Sequence, residues 1–328
     1  MAGLGAAIFG CAGTTLGVEE RAFFKSADPW GFILFARNVD TPDQVRALCA
    51  DLRACVGWHA PILIDQEGGR VQRLRAPQWR EHLPPLDEAA RGLRAMWVRS
   101  ALIGAELAEL GIDVNCAPCA DIAGPQTHPF LHNRCYGQDV ESVVEMSRAV
   151  VDGMAAAGVQ PVLKHIPGHG RATADSHLDL PTVDASAADL ARHDFAPFRA
   201  LRDLPMAMTA HITYSAIDPV HCATQSPAML RVIREDIGFG GLLMTDDISM
   251  QALSGSLGAR TTASLVAGCD LVLHCNGALG EMIEVAEAAG GLLPAARARA
   301  EAVIAARPAP AELDIPALEA EFQSFASG

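Results

Sequence analysis

Short apolar runs recur along the chain, separated by longer stretches in which apolar residues return every three or four positions. The runs cover 6–11, 31–36, 61–64, 112–116, 159–165, 206–211, 241–245 and 270–274. Most of them are continuous rather than alternating, so they have no face suited to water. Strands of that kind are covered on both sides, as in parallel sheets whose crossover helices lie against them.

The intervening stretches carry helix signals. Met96, Ile103, Leu107 and Leu110 form one apolar stripe, and Gly111 supplies a stop. Val143, Met146, Val150 and Met154 repeat the pattern between Asp139 and Gly158. Thr41-Pro42 and Ser226-Pro227 each place proline in a first helical turn, where its missing N–H costs nothing.

Eight strands alternating with helices, without a break in composition, predict an α/β fold of the (β/α)8 TIM-type barrel class in a single domain. The catalytic barrel is expected over 1–290. The Ala-rich tail 291–328 is expected as a C-terminal helical appendage packed on the barrel, interrupted at Pro308 and Pro310. A doubly wound dinucleotide fold is the alternative. Its fingerprint is missing, because Gly3 and Gly5 precede the first strand and Ile8 stands where a third glycine belongs.

Composition narrows the function. With 328 residues, half of them hydrophobic, the chain can bury roughly three quarters of its unfolded surface. A formal charge of −14 argues against nucleic acid, whose binding depends on neutralising phosphates. Nine cysteines, an odd number without regular spacing, point to a reducing compartment. Cys116-x-x-Cys119 lacks a second such pair and reads as strand-end packing. Ile8-Phe9-Gly10-Cys11 faintly resembles a lipoprotein cleavage site, yet no Lys or Arg precedes it, so it reads as the first strand. No apolar run approaches the roughly 20 residues that span a bilayer. A cytoplasmic protein with no membrane partner is expected.

Active sites of such barrels lie at the C-terminal ends of the strands. The third strand ends in Asp65-Gln66-Glu67-Gly68-Gly69-Arg70, with Arg73 following. The fifth ends in Lys164-His165 and continues into Pro167-Gly168-His169-Gly170 and then Asp175-Ser176-His177. The sixth ends at His211 and the seventh at Asp246-Asp247. Taken singly, an aspartate after a strand often caps a helix, and a histidine is often plain hydrogen-bonded structure. Their joint occurrence at four strand ends predicts a polar pocket. Glycines on either side of His169 permit unusual backbone angles and a movable loop beyond. Asp175 and His177, two apart, project together in an extended segment, and a carboxylate beside an imidazole suits proton transfer.

Three stretches then resemble a known family: 61–74 (PILIDQEGGRVQRL), 164–177 (KHIPGHGRATADSH) and 244–250 (MTDDISM). They are similar to the family 3 glycoside hydrolases, and within it to the single-domain bacterial β-N-acetylglucosaminidases (β-N-acetylhexosaminidases) of peptidoglycan recycling. The resemblance extends in order from about residue 6 to 290. Family 3 β-glucosidases take their acid/base from a second domain, for which 328 residues are expected to leave no room.

The resemblance implies that Asp246 is the nucleophile, forming a glycosyl ester, and that His177 is general acid and then base with Asp175 as partner. It implies that Lys164 and His165 hold sugar hydroxyls and that Asp65, Arg73 and Arg134 complete the sugar site. The residues alone leave Asp246 and Asp247 open as nucleophile; the alignment favours the first. No metal and no cofactor is implied. The implied substrate is a terminal β-linked N-acetylglucosamine of a glycan or muropeptide. The scheme replaces one of the two usual carboxylates by histidine, whose ordinary pKa of about 6.5 suits proton exchange near neutrality. Ile166 stands where the family commonly has Phe, and Arg171 where it is often small or acidic, which bears on loop packing and aglycone preference.

Two rival readings exist. A metal-assisted hydrolase would use the His165/His169/His177 cluster with Asp175, but Pro167 and Gly168 prevent the helix that an i, i+4 zinc pair requires. A non-catalytic sugar-binding barrel would keep Asp65, Arg73, Lys164 and His165 and need neither Asp246 nor His177.

Overall fold

In the computed structural model, which describes residues 5–173 and 180–325, the apolar runs become parallel staves. They are β1 (Gly5–Gly10), β2 (Pro29–Leu34), β3 (Ile62–Ile64), β4 (Val114–Asn115), β5 (Gln160–Pro161), β6 (Leu163–Ile166), β8 (Met206–Thr209), β10 (Leu242–Asp247) and β11 (Leu271–His274). Two further strands, β7 (Thr182–Val183) and β9 (Thr213–Tyr214), pair separately. The main sheet runs β5-β4-β3-β2-β1-β11-β10-β8-β6. Its two end strands follow one another in the chain, with only Val162 between them. They are one interrupted stave, so the nine strands form eight staves and the sheet closes on itself.

The interruption departs from the unbroken strand expected over 159–165, and proline explains it. Pro118 and Pro161 have no N–H to give to a ladder. The fourth stave therefore ends as regular strand at Asn115, and Val162 N–H is shared between the carbonyls of Asn115 (3.0 Å) and Ala117 (2.9 Å). Beyond it Lys164 N donates to Pro118 O and Ala120 N to Lys164 O. The barrel thus stays closed at the level where Lys164 and His165 emerge.

The helices start and stop where the sequence signals them. Thr41 caps Pro42–Val56 through Gln44 N, Asp139 caps Val140–Ala156 through Ser142 N, and Ser226 caps Pro227–Arg231 through Met229 N. Gly111 and Gly158 follow the two long helices with positive φ.

Inside the barrel Ile8, Ile33, Leu63, Val162, Leu242 and Met244 pack into one apolar cluster. Helix Pro294–Ala305 adds Ala296, Ala300 and Val303 to it from below. Ala6 N at the start of β1 donates to Gly290 O, which fixes that end as the N-terminal mouth. Helix Ile315–Ser324 lays Leu318 against Val98, Ala101 and Leu102 of helix Leu93–Glu109. The lower mouth is filled by this packing, and the C-terminal mouth stays open. All nine cysteines are free thiols. Among the described residues no helix is long and apolar enough to cross a membrane.

Candidate active site

Asp65 leaves the end of β3, Lys164 and His165 lie on β6, and Asp246 and Asp247 close β10. Together with Arg73 and Arg134 these side chains line a cavity of about 400 Å³ at the C-terminal mouth. Phe35, Phe130 and Met250 supply apolar wall. Six of the eight expected site residues, Asp65, Arg73, Arg134, Lys164, His165 and Asp246, therefore share one cavity. The other two, Asp175 and His177, lie outside the described residues.

A network of buried charges sets the floor. Lys164 is 2 % exposed, a position in which an isolated ammonium would lose its proton. Two carboxylates prevent that, Asp65 at 2.8 Å and Glu67 at 2.6 Å. Burial pushes the Lys164 ammonium down, but these two anions outweigh it and hold its pKa above the ordinary value. Burial likewise pushes Asp65 up, and Lys164 and Arg73, the latter at 3.0 Å, hold it well below the usual carboxylate range. Glu67 also receives Arg134 through two bonds of 2.9 and 2.8 Å. Against its own burial, Arg134 and Lys164 hold its pKa at about 2. The site is a set of ions fixed in advance, which need no rearrangement to meet a polar ligand.

The two aspartates of β10 divide their work. Asp247 spends both carboxylate oxygens on structure: Oδ1 accepts from Ser249 N (3.0 Å) and Cys275 N (3.3 Å), and Oδ2 accepts from Ser249 Oγ (2.7 Å). Asp246 Oδ1 accepts the N–H of Asp247 at 2.8 Å, which aims its carboxylate. His211, expected among the pocket groups, is instead fully buried behind the lining. Its Nε2 donates to the Asp247 carbonyl at 3.1 Å and its Nδ1 lies 2.7 Å from Thr224 Oγ1, so it braces the backbone that carries the two aspartates.

The Pro167-Gly168-His169-Gly170 run is fastened rather than loose as far as it is described. Gly168 O accepts from Tyr214 Oη, His169 N donates to Asp121 Oδ1 (2.5 Å), and Gly170 O accepts from Thr127 Oγ1 (2.5 Å). Its glycines serve close approach. A Cβ on Gly170 would stand 2.1 Å from Ile122 O, and Gly168 has φ 143° with Asp194 O in the way. Arg171, just beyond, donates to Asp194 Oδ2 at 2.7 Å. Burial pushes His169, which lines the cavity, down to about 4, with His165 adding to the effect.

Two functional residues escaped the sequence reading. Glu67 lies in the quoted stretch 61–74 without an assigned role. Asp121 lies past the fourth strand, beyond a run, 112–116, that closes on a cysteine; its signal in the sequence is that it is the first carboxylate after Ala117-Pro118. As for metal, Cys119, Asp121 and His165 place ligand atoms within 4.8 Å of one another. Those atoms already bond to each other, with Cys119 Sγ donating to Asp121 Oδ2 (3.3 Å) and His165 Nδ1 lying 2.7 Å from the same oxygen. Cys116 and Cys119 are buried, and both thiols are pushed well up, Cys116 by burial and Cys119 by its bond to Cys135 and by burial.

A closed parallel barrel with carboxylates and cations from several staves around one upper cavity defines a barrel enzyme. The model of the glycosyl hydrolase family 3 N-terminal domain matches residues 17–303, and the chain belongs to that family, which makes it a glycoside hydrolase. It is 37% identical over 283 residues to a beta-hexosaminidase of Alkalilimnicola ehrlichii, covering 83% of this chain and 81% of that one. Native NagZ from Neisseria gonorrhoeae superposes with a TM-score of 0.85 at 27% identity, over 99% of this chain and 97% of that one. A family 3 beta-N-acetylglucosaminidase from Paenibacillus sp. gives 0.81 at 28% identity over 98% of this chain, which spans 62% of that longer protein.

Proposed function

We propose that the protein is a retaining exo-β-N-acetylglucosaminidase. It removes terminal β-linked N-acetylglucosamine, with muropeptides of cytoplasmic peptidoglycan recycling as its natural substrates. The observation that carries this reading is the setting of Asp246, on a small cavity opposite a pre-paired ring of Asp65, Lys164, Glu67 and Arg134. About 400 Å³ lies near the lower end of ligand pockets, which favours one terminal sugar over an internal stretch of chain. The beta-hexosaminidase and beta-N-acetylglucosaminidase relatives supply the amino sugar.

In the first step the Asp246 carboxylate attacks the anomeric carbon and forms an ester while the bond to the leaving oxygen breaks. His177, oriented by Asp175, gives that oxygen its proton. In the second step water attacks the same carbon, His177 takes the water's proton, and the Asp246 carboxylate is released. Two displacements at one centre retain its configuration. Asp65, Arg73, Arg134, Lys164 and His165 hold the sugar hydroxyls. The Asp247 N–H bond keeps the attacking carboxylate aimed. No step uses a metal or cofactor.

Incubation with a fluorinated N-acetylglucosaminyl donor, digestion and mass spectrometry test the proposal. The label is expected on Asp246. A label on Asp247 reassigns the nucleophile, and an inverted product by NMR removes the mechanism. Preference for a muropeptide over chitobiose in kcat/KM tests the natural substrate.

A further inference from the structure

Behind the cavity lies Asp121, with no exposed surface. Its carboxylate is fully used. Oδ2 faces His165 Nδ1 at 2.7 Å and the Cys119 thiol at 3.3 Å, while Oδ1 accepts from His169 N at 2.5 Å and lies 3.4 Å from His165 N. His165, which lines the cavity, is thus gripped by its ring and its main chain from one side.

The opposite edge of the same ring decides the position of its proton. His165 Nε2 lies 3.5 Å from Arg134 Nη2. A guanidinium only donates, so a ring nitrogen bonded to it must present a lone pair. An ionised carboxylate only accepts, so the nitrogen facing Asp121 must carry the hydrogen. Both constraints select one tautomer, with hydrogen on Nδ1 and a bare Nε2, assigned here from the network of partners. Asp121 meets the requirement of being ionised: against burial, the His165 ring and the His169 N–H that face its oxygens hold its carboxyl below the usual range.

We infer that Asp121 is a positioning residue for sugar binding, locking His165 in the Nδ1–H form so that the one lone pair of Nε2, which faces Arg134 Nη2 at 3.5 Å, passes to a hydroxyl of the bound sugar in place of that long contact. The direction matters. Lys164 and Arg134 are donors only, so their neighbouring ligand groups must accept. His165 then adds an acceptor beside these donors, as the Asp65 carboxylate in the same lining does, and a hydroxyl that gives its hydrogen to His165 keeps its lone pairs for the cations. The wall reads a hydroxyl as donor and acceptor together, and rejects a group such as an ether oxygen that only accepts. The inference rests on the cavity being the sugar site.

Nitrogen NMR of protein labelled with 15N-histidine tests it without relying on turnover, with the His165 signals assigned by their loss in His165→Gln. In the wild type Nδ1 is expected to carry hydrogen and Nε2 to show the shift of a bare ring nitrogen. In Asp121→Asn the amide can turn its NH2 toward the ring, so hydrogen is expected on Nε2. kcat/KM should then fall by up to roughly tenfold, the scale of one lost hydrogen bond, mainly through KM. Asp121→Glu should restore part of the loss and the original tautomer. A protonated Nε2 in the wild type overturns the inference, as does an Asp121→Asn protein with unchanged tautomer and kinetics. If the variant does not fold, the wild-type spectrum still decides. A wild type inactive on N-acetylglucosaminides would sink the proposed function, while the tautomer would still be read from the spectrum.

Discussion

Glu67 holds Arg134 in a two-bond fork of 2.9 and 2.8 Å, both side chains being almost wholly out of water. Because Lys164 leans on the same carboxylate at 2.6 Å, one glutamate is shared by two buried cations. Glu67→Gln keeps the shape and removes the charge. Breaking one partner of a buried ion pair costs about 3–5 kcal/mol, because the other charge stays buried without compensation. A loss of that size is expected in urea unfolding, together with at least a tenfold drop in kcat/KM as Arg134 and Lys164 shift. A loss below about 1 kcal/mol, the range of exposed pairs, would show that water reaches the network.

The same groups make stability depend on pH. Glu67 and Asp121 are each held at about 2, against ordinary values of 4.5 and 3.8. As pH falls below about 4.5 the unfolded chain takes up these protons and the folded one does not, so stability present above that range is lost on the way down to about 2. His169 acts earlier. Burial lowers it to about 4 from 6.5, so the unfolded chain gains its proton first and stability begins to fall below about 6.5. Urea midpoints are expected to decline gently from pH 6.5 and steeply below 4.5. Glu67→Gln should flatten the steep limb and His169→Gln the gentle one. Midpoints that rise on acidification would contradict both assignments.

Much of this arrangement is legible in the sequence, for a physical reason. Continuous apolar runs have one stable use in such a chain, so they mark the staves, and most of the charged residues at their ends face the open mouth. What stayed hidden depends on partners far along the chain. The break at Val162 arises from proline in the neighbouring stave as well as its own. β7 and β9, two residues each, are too short to show periodicity. His211 ends a stave as Lys164 does, yet its ring turns to Thr224 and the Asp247 carbonyl, a choice that only the packing makes. Glu67 and Asp121 look like loop acids until the cations and imidazole they serve are brought beside them.

The division of labour between the adjacent aspartates predicts opposite outcomes. Asp246→Gly should lower kcat by roughly 10⁴-fold or more, the scale of removing a nucleophile. Azide, small enough to enter the vacated space, should restore turnover and give the α-glycosyl azide by a single displacement. Asp247→Asn keeps one good acceptor of the two that hold Ser249 and Cys275. It should cost about 1–3 kcal/mol of stability, the range for losing partners of buried polar groups, while kcat changes less than tenfold. A reversal of the two kinetic effects, read with an aryl N-acetylglucosaminide, would move the nucleophile to Asp247.

The acid role proposed for His177 is tested by what leaves. Protonation helps most when the departing oxygen is strongly basic, so its absence should hurt poor leaving groups most. His177→Ala is expected to lose roughly 10²–10⁴-fold in kcat/KM on a disaccharide, the usual worth of general acid–base catalysis. It should lose far less in the first step on a dinitrophenyl glycoside, whose phenolate departs unaided. With such a substrate the ester on Asp246 forms quickly but waits for a water that lacks its base, so a burst of phenolate should precede slow steady turnover. Asp175→Asn should give a weaker form of the same pattern, since Asp175 is proposed only as the partner that raises the basicity of the ring. Equal losses across leaving groups, with no burst, would take the proton transfer away from His177 and assign it to another group.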